Sequence, residues 1–243
     1  MKRKCFLSFF ALMICTLGFA ASDADIALFN AVKVKRLDLV NAYVRSANAN
    51  ARFQWSGKSM TAFQMALENE DVNIAKVLIA DGNADVNASW EDEPPIFIAA
   101  RKKNPQLAEL LIGSGANINS TYNGMTPAIY SVMAEENAGP FLHSFESIAK
   151  KYGKFIEWNS KDSEGRNVLH YAVTEGDFGN LIKHGNKSTV EYLLRSGLVS
   201  ASEQDKYGMT SFHMAAASCN NDLMKLFLNT PNGRKAYNIK NSD

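Results

Sequence analysis

Apolar side chains recur along this chain at helical spacing, in pairs of short segments separated by polar turns. In one pair, apolar residues form one side of a helix over residues 62–67 and of a second helix over residues 74–79. Glu70 lies in the polar turn between them, Thr61 can cap the first helix, and Gly82 can end the second. The pattern predicts a repeating unit of helix, turn, helix and loop.

Each unit begins with a variant of one six-residue motif. Successive copies start 33, 32, 41 and 43 residues apart. The last position is alanine in four of them, which indicates that neighbouring helix pairs approach closely there. The copies are Thr61-Ala-Phe-Gln-Met-Ala66, Pro94-Pro-Ile-Phe-Ile-Ala99, Thr126-Pro-Ala-Ile-Tyr-Ser131, Asn167-Val-Leu-His-Tyr-Ala172 and Thr210-Ser-Phe-His-Met-Ala215.

This motif, at a period of about 33 residues, resembles the T-P-L-H-x-A signature of the ankyrin-repeat family. The resemblance implies an all-α solenoid of about six helix-turn-helix units with β-hairpin finger loops. It places a repeat domain at residues 22–232 and a polar C-terminal tail at residues 233–243. The approximate units are 25–57, 58–91, 92–123, 124–164, 165–207 and 208–232.

The resemblance also implies structural roles for residues that could otherwise suggest chemistry. His170 and His213 occupy the histidine position of the motif, where the imidazole ties one finger to the next repeat. Trp158 falls where the family buries a side chain at the root of a finger. Cys219 stands where the family usually has glycine between two helices, and we expect a partly exposed thiol there. Because the sequence has no known metal, nucleophile or phosphate-loop motif, we expect no catalytic residue, no metal site and no cofactor.

The N-terminus has the layout of a secretory signal peptide. Met1-Lys-Arg-Lys4 precedes an apolar run that ends in small residues at 20–22. We predict that residues 1–21 are a cleaved signal peptide and that the protein is bacterial and either periplasmic or secreted. An uncleaved membrane anchor is the alternative. It is disfavoured because a spanning helix needs about 20 apolar residues and this apolar run is shorter. Lipidation at Cys15 is disfavoured because bulky residues precede the cysteine.

Composition narrows the class of partner. Of the 3 cysteines, only Cys219 follows the signal, so the mature chain has no internal disulfide and depends on its core. The signal removes three of 26 basic residues and leaves 23 against 25 acidic ones. Because basic and acidic residues are nearly equal in number, we expect no basic surface that would bind the phosphates of nucleic acids or lipids. We expect a monomer that binds another protein, with no nucleic-acid partner and, after cleavage, no membrane.

Large aromatic residues recur near the predicted fingertips. Trp55, Trp90 and Tyr122 lie two positions before the hairpin glycine or the aspartate that replaces it, and Tyr207 lies one position further along. Exposed aromatic rings are frequent binding anchors. We predict that these four residues form the partner site. The alternative is that each ring folds back on its own hairpin.

Two units exceed the period, and the extra residues fall between their two helices. One loop runs from Ala134 to Phe141 around Gly139-Pro140, and the other runs from Gly176 to His184 and contains Phe178. Surface loops tolerate insertions at little cost, which explains these two without a function. The apolar residues in them keep a functional role open. The sequence therefore predicts a non-enzymatic protein-binding module or scaffold. The alternatives are an enzyme with its chemistry in these long loops and a self-associating structural envelope protein.

Overall fold

The computed structural model describes residues 21–88, 93–133, 137–174 and 185–240. These residues form short helices that follow one another in pairs. Within each of the two compact units, helices of consecutive pairs pack side by side, as the helical spacing of apolar residues predicts. The chain divides into two compact units, one ending at Pro95 and the other beginning at Ile96.

The first unit holds two helix pairs and an antiparallel hairpin. Its elements are α1 (Asp23–Lys33), α2 (Leu37–Tyr43), β1 (Arg52–Trp55), β2 (Lys58–Thr61), α3 (Ala62–Glu68) and α4 (Val72–Ala80). Helix α1 packs on α3, and α2 packs on α4, so the first helices and the second helices form two layers. Strands β1 and β2 pair Trp55 with Lys58 and form the finger between the two helix pairs.

The second unit continues the same order and ends in an additional helix. Its elements are α5 (Pro95–Arg101), α6 (Pro105–Gly113), α7 (Pro127–Val132), α8 (Gly139–Lys151), α9 (Val168–Thr174), α10 (Lys187–Ser196), α11 (Ser211–Ala217), α12 (Asn221–Asn229) and α13 (Pro231–Tyr237). The first helices α7, α9 and α11 pack in sequence, and so do the second helices α6, α8, α10 and α12. The fingers lie in the loops that precede the first helices.

The recurring motif starts first helices in one backbone geometry. Thr61, Thr126 and Thr210 are N-caps with φ between −85° and −89° and ψ between 163° and 167°. Each threonine oxygen accepts a hydrogen bond from the backbone N–H three residues further on, which satisfies a donor that the helix itself cannot. Pro127 occupies the first helical position, where its missing N–H costs nothing.

The motif alanines lie in the core, as expected from close helix packing. Ala66, Ala99 and Ala215 are fully buried, and Ala172 is 2% exposed. Trp158 is also buried, at 7% exposure, in agreement with a role at the root of a finger. These positions hold the helix layers together and leave the fingers and the outer loops to carry exposed side chains.

Asparagine side chains link the loops that follow successive second helices. The Nδ2 atom of Asn50 donates to the carbonyl oxygen of Asn83 at 3.0 Å, and its Oδ1 atom accepts from the N–H of Asp85 at 2.8 Å. Asn119 makes the same pair of bonds two repeats further along the chain, and Asn159 accepts from a backbone N–H in the loop after α10. We call this series the asparagine ladder.

The C-terminal segment differs from the expected polar tail at residues 233–243. Helix α13 crosses that boundary, because the Thr230 side chain caps it by accepting from the N–H of Gly233 and because proline starts it well. Asn232 at its start donates to the carbonyl of Val199 and accepts from the N–H of Ala201, which continues the asparagine ladder. Tyr237 packs edge-on against Phe212 of α11, at 5.7 Å between ring centroids. Helix α13 therefore packs against α11 and α12 instead of forming a polar tail.

Left-handed residues make the turns between paired helices. Lys35, Glu70, Lys103 and Cys219 have φ between 49° and 56°, a region that favours glycine. Cys219 is exposed, as expected for its thiol. Residues with a Cβ atom therefore strain the backbone at these turns, and their side chains do not pack in the core.

We expect Cys219→Gly to stabilise the fold by about 1 kcal/mol, because glycine adopts positive φ without a steric penalty. Urea denaturation measures the change. Cys219→Ala is the matched control, since it removes the thiol but keeps the strain, and it should stay within about 0.5 kcal/mol of the parent. Equal stabilisation by both variants would contradict the strain explanation.

Candidate functional site

Two neighbouring fingers of the second unit are held by buried or half-buried aspartates. Asp162 Oδ1 accepts from the N–H groups of Glu164 at 2.9 Å and Arg166 at 2.8 Å. Asp205 repeats this arrangement with the N–H groups of Tyr207 and Met209, both at 2.9 Å. Each finger therefore has a fixed backbone. We call them the 162 finger (residues 160–167) and the 205 finger (residues 203–210).

The two fingers are also joined to each other. The N–H of Lys206 donates to the carbonyl oxygen of Glu164 at 2.8 Å, and its Nζ atom lies 2.5 Å from Glu164 Oε2. Lys161 Nζ lies 2.7 Å from Glu203 Oε2 and 3.1 Å from the carbonyl oxygen of Gln204. These exposed ion pairs are individually weak, but together with the backbone bond they fix the spacing of the fingers.

His170 ties the helix after the 162 finger to the 205 finger. Its Nε2 atom lies 3.2 Å from the carbonyl oxygen of Met209, and its Nδ1 atom lies 3.2 Å from the backbone nitrogen of Asn167. The Nδ1 atom also lies 2.7 Å from Asn167 Oδ1, so both ring nitrogens have polar partners. Burial lowers the pKa of His170, which favours the neutral ring. His170 therefore has the linking role that the motif implies, whereas His213 bonds to Thr210 at the start of its own helix.

Tyr207 is the predicted site residue that the structure exposes most clearly. Its side chain is 56% exposed at the tip of the 205 finger. The N–H of Tyr207 is held by Asp205, and the Nζ atom of Lys206 lies 5.0 Å from the centre of the Tyr207 ring. The aromatic ring is thus presented to solvent from a backbone that has little freedom to move.

Tyr122 and Trp55 are more enclosed than the prediction of projecting rings required. Tyr122 is half-buried and packs against Phe97 at 5.6 Å and Tyr130 at 6.2 Å between ring centroids. Trp55 is also half-buried, and the ammonium of Lys33 lies 3.5 Å from the centre of the Trp55 ring. Both rings cover helix side chains beside their fingers, because an aromatic ring gains more from such contacts than from water. Trp90 lies outside the described residues.

Of the two phenylalanines expected in the long inter-helix loops, the structure describes one, Phe141. Phe141 belongs to helix α8, not to a loop, and it is buried and stacked on Phe145 at 5.5 Å. The expectation of a loop was wrong there because Pro140 lies in the first turn of the helix, where proline is favourable. Phe178 lies outside the described residues.

Neither a metal centre nor a membrane span is found in the described ranges. In those ranges, no group of three histidine, cysteine or acidic side chains is placed to hold a metal ion. No helix among them has the length and apolar character needed to cross a membrane. The features that remain for recognition are the fixed fingers and the exposed loops.

Sequence reasoning missed two features of this surface. The first is the asparagine ladder, which the sequence analysis did not predict because its bonds join residues more than 30 positions apart. The second feature is Phe155, whose side chain is 85% exposed in the loop after α8. The signal that could have found it is its place in the ladder, where its carbonyl oxygen accepts from Asn119 as that of Asn83 accepts from Asn50.

Models of known families identify the repeats directly. A model described as ankyrin repeats in three copies matches residues 28–122 and 96–183. A second model, described as ankyrin repeats in many copies, matches residues 180–228. These overlapping matches leave the number of six repeats and the unit boundaries as predictions.

Curated proteins with similar sequences are much longer than this chain. NF-kappa-B inhibitor zeta of Mus musculus is 27% identical over 165 residues, which are 58% of this chain and 22% of that protein. Transient receptor potential cation channel subfamily A member 1 of Drosophila melanogaster is 27% identical over 202 residues, 71% of this chain and 17% of the channel. The putative ankyrin repeat protein FPV022 of Fowlpox virus is 25% identical over 145 residues, 52% of this chain and 24% of that protein.

The chain spans less than a quarter of the length of each of these three relatives, so the likeness concerns the repeats. Repeats of this kind suggest interaction with another protein, and such proteins are typically non-enzymatic binding modules. The two ranges that the first family model matches together cover more than half of the sequence. The motif and the paired helices agree with this match. The chain belongs to the ankyrin-repeat family.

Proposed function

We propose that this protein is an exported, non-enzymatic binding module that acts in the periplasm or outside the cell. Its partner is another protein, which contacts the fingers and the first helices. The observation that carries the proposal is the 205 finger, which fixes its backbone through Asp205 and exposes Tyr207. A rigid surface loses little conformational entropy on docking, and an exposed tyrosine is a frequent anchor.

The relatives support a binding role without naming the partner. The name of NF-kappa-B inhibitor zeta describes an inhibitor, which is a role exerted on another molecule. The export part of the proposal rests on the basic start, the apolar run and the small residues of segment 1–21. Helix α1 begins at Asp23, with Ser22 as its cap, directly after the predicted cleavage point.

Export is tested by N-terminal sequencing of the full chain expressed in a bacterial host. We expect the mature protein to begin at Ala21 or Ser22 and to be recovered from the periplasm or the medium. An intact Met1 on membrane-bound material would contradict both the cleavage and the location.

The binding role is tested by affinity capture with residues 22–243 as bait in periplasmic extract, followed by titration of the purified partner. We expect one stoichiometric partner, whose affinity falls at least tenfold with Tyr207→Ala, since truncating an anchor costs about 2 kcal/mol or more. Tyr43→Ala, which truncates an exposed ring on α2 away from any finger, is the control and should change the affinity little. Self-association alone would favour a structural envelope protein instead.

A further inference from the structure

The sequence contains two Asn-Gly pairs, and the structure holds them differently. Asn123-Gly124 forms the tip of the finger between α6 and α7, which we call the 122 finger (residues 120–126). Asn232-Gly233 lies in the first turn of α13. Asparagine is a thermolabile residue, and a following glycine exposes its side-chain amide most to attack by the backbone, because glycine has no Cβ atom to obstruct the approach. The two pairs therefore allow a comparison within one molecule.

The tip of the 122 finger leaves both reacting groups available. Asn123 and Gly124 are exposed, and a Cβ atom built on Gly124 would meet nothing within 4 Å. In the described part of the chain, neither the Asn123 side chain nor the N–H of Gly124 has a hydrogen-bond partner. The amide carbon of Asn123 and the backbone nitrogen that follows it are thus both open to reaction.

The 122 finger is held at the base of its turn. The N–H of Tyr122 donates to the carbonyl oxygen of Met125 at 2.9 Å, and the N–H of Met125 donates to the carbonyl oxygen of Tyr122 at 3.0 Å. Between them, Asn123 and Gly124 have φ of 50° and 76°, as in the two-residue hairpin turns that favour Asn-Gly. The described contacts therefore fix the base of the finger and leave rotation at its tip unopposed.

Asn232-Gly233 is held at each reacting group. The Asn232 side chain donates to the carbonyl oxygen of Val199 at 2.7 Å and accepts from the N–H of Ala201 at 3.3 Å. The N–H of Gly233 donates to Thr230 Oγ1 at 3.2 Å, and a Cβ atom built on this glycine would lie 2.4 Å from a carbonyl oxygen of α12. Attack at this pair requires three hydrogen bonds and the first turn of α13 to open.

We propose that Asn123 is a site of spontaneous deamidation in the folded protein and that Asn232 is protected from the same reaction. The nitrogen of Gly124 attacks Cγ of Asn123. The bond from Cγ to the side-chain nitrogen breaks, and that nitrogen leaves as ammonia with the proton of the Gly124 N–H. Water then opens the resulting succinimide at either carbonyl, which leaves aspartate or isoaspartate at position 123. This chemistry does not depend on binding at the 205 finger.

The modification changes both the charge and the shape of the 122 finger. Either product adds a negative charge to the exposed tip. Isoaspartate also lengthens the backbone of the turn, so the two bonds between Tyr122 and Met125 no longer fit a two-residue loop. Tyr122 packs against Phe97 and Tyr130, so the altered turn reaches a residue of the predicted partner site. Deamidation at Asn123 is thus a slow, one-way change in the finger surface.

The test is peptide mapping of the purified protein by mass spectrometry after incubation in warm, mildly alkaline buffer. Both Asn-Gly peptides are quantified over time, in the folded protein and in a parallel sample unfolded in guanidinium chloride. Asn123→Gln is the blocking variant, because its longer side chain disfavours ring closure. Asn123→Asp provides the chromatographic standard for one of the two products.

In the folded protein we expect Asn123 to react at least tenfold faster than Asn232, because each hydrogen bond that must open first lowers the reactive fraction. In guanidinium chloride the two rates should agree within about threefold, because little but the local sequence remains. Anion-exchange chromatography of the folded protein should show new acidic material that carries the change at position 123. Asn123→Gln should not form it.

Several results would overturn the proposal. A folded-state ratio clearly below tenfold would show that α13 protects its pair no better than the finger does. A reaction at Asn123 that is at least tenfold slower in the folded protein than in guanidinium chloride would show that the turn itself protects this residue. Acidic material that persists in Asn123→Gln, or a faster reaction at any other asparagine, would assign the modification to another site.

Discussion

Gly185→Ala is expected to destabilise the protein by about 3 kcal/mol, at the upper end of the cost of overpacking. A Cβ atom at this residue would lie 2.2 Å from the carbonyl oxygen of Ala172 and 2.4 Å from that of Val173. Both oxygens belong to helix α9, whose residues are all buried, so neither can move without disturbing the core. The N–H of Gly185 also donates to the carbonyl of Val173 at 3.1 Å, which holds the two segments together.

Urea denaturation of the parent and of two glycine variants measures this effect. Gly139→Ala is the control, because its closest neighbour is a side-chain oxygen of Asn137 at 3.1 Å and the residue lies in the first turn of α8. We expect Gly139→Ala to stay within about 1 kcal/mol of the parent. Similar free energies of unfolding for the two variants would show that the segment at Gly185 adapts, and that the close approach to α9 is not rigid.

Ala215→Leu is expected to cost about 1–3 kcal/mol, because Ala215 is fully buried where neighbouring helices meet. The next residue provides a matched control. Ala216 is exposed on the same helix, so Ala216→Leu makes the same chemical change without entering the core and should stay within about 0.5 kcal/mol.

Thermal or urea unfolding of both leucine variants measures the loss of stability that each change causes. A loss of stability in Ala215→Leu alone supports the motif alanine as the closest point between helix pairs. Equal losses in both variants would mean that helix propensity or solubility dominates. The corresponding change at Ala172, which is 2% exposed, should behave as Ala215→Leu does.

The features that the sequence predicted best depend on neighbours within a few residues. Thr126-Pro127 starts a helix through bonds to residues three positions away, and Thr61 does so through Gln64. The motif alanines were also predictable, because their spacing of about one repeat requires a common environment. Such local or periodic rules are the same in every repeat, so several weak copies support one another.

The features that the sequence did not predict depend on a particular distant contact. Tyr122 packs inward because Phe97 and Tyr130 lie beside it, and only the fold brings these rings together. The segment after residue 232 forms a helix because Phe212 and the loop at Val199 offer it contacts. Phe155 would be assigned to the core by its apolar character, but the ladder bonds of its backbone leave the side chain outside.

The asparagine ladder also bears on how such a chain can grow or shrink during evolution. The rungs of Asn50 and Asn119 each use one donor and one acceptor from the asparagine and the matching pair from the backbone one repeat later. A duplicated or deleted repeat of this kind therefore brings or removes a complete set of partners, and the ladder stays continuous. The last rung is different, because Asn232 of the terminal helix supplies it. Changes in repeat number are accordingly easier between the rungs of Asn50 and Asn119 than beside helix α13.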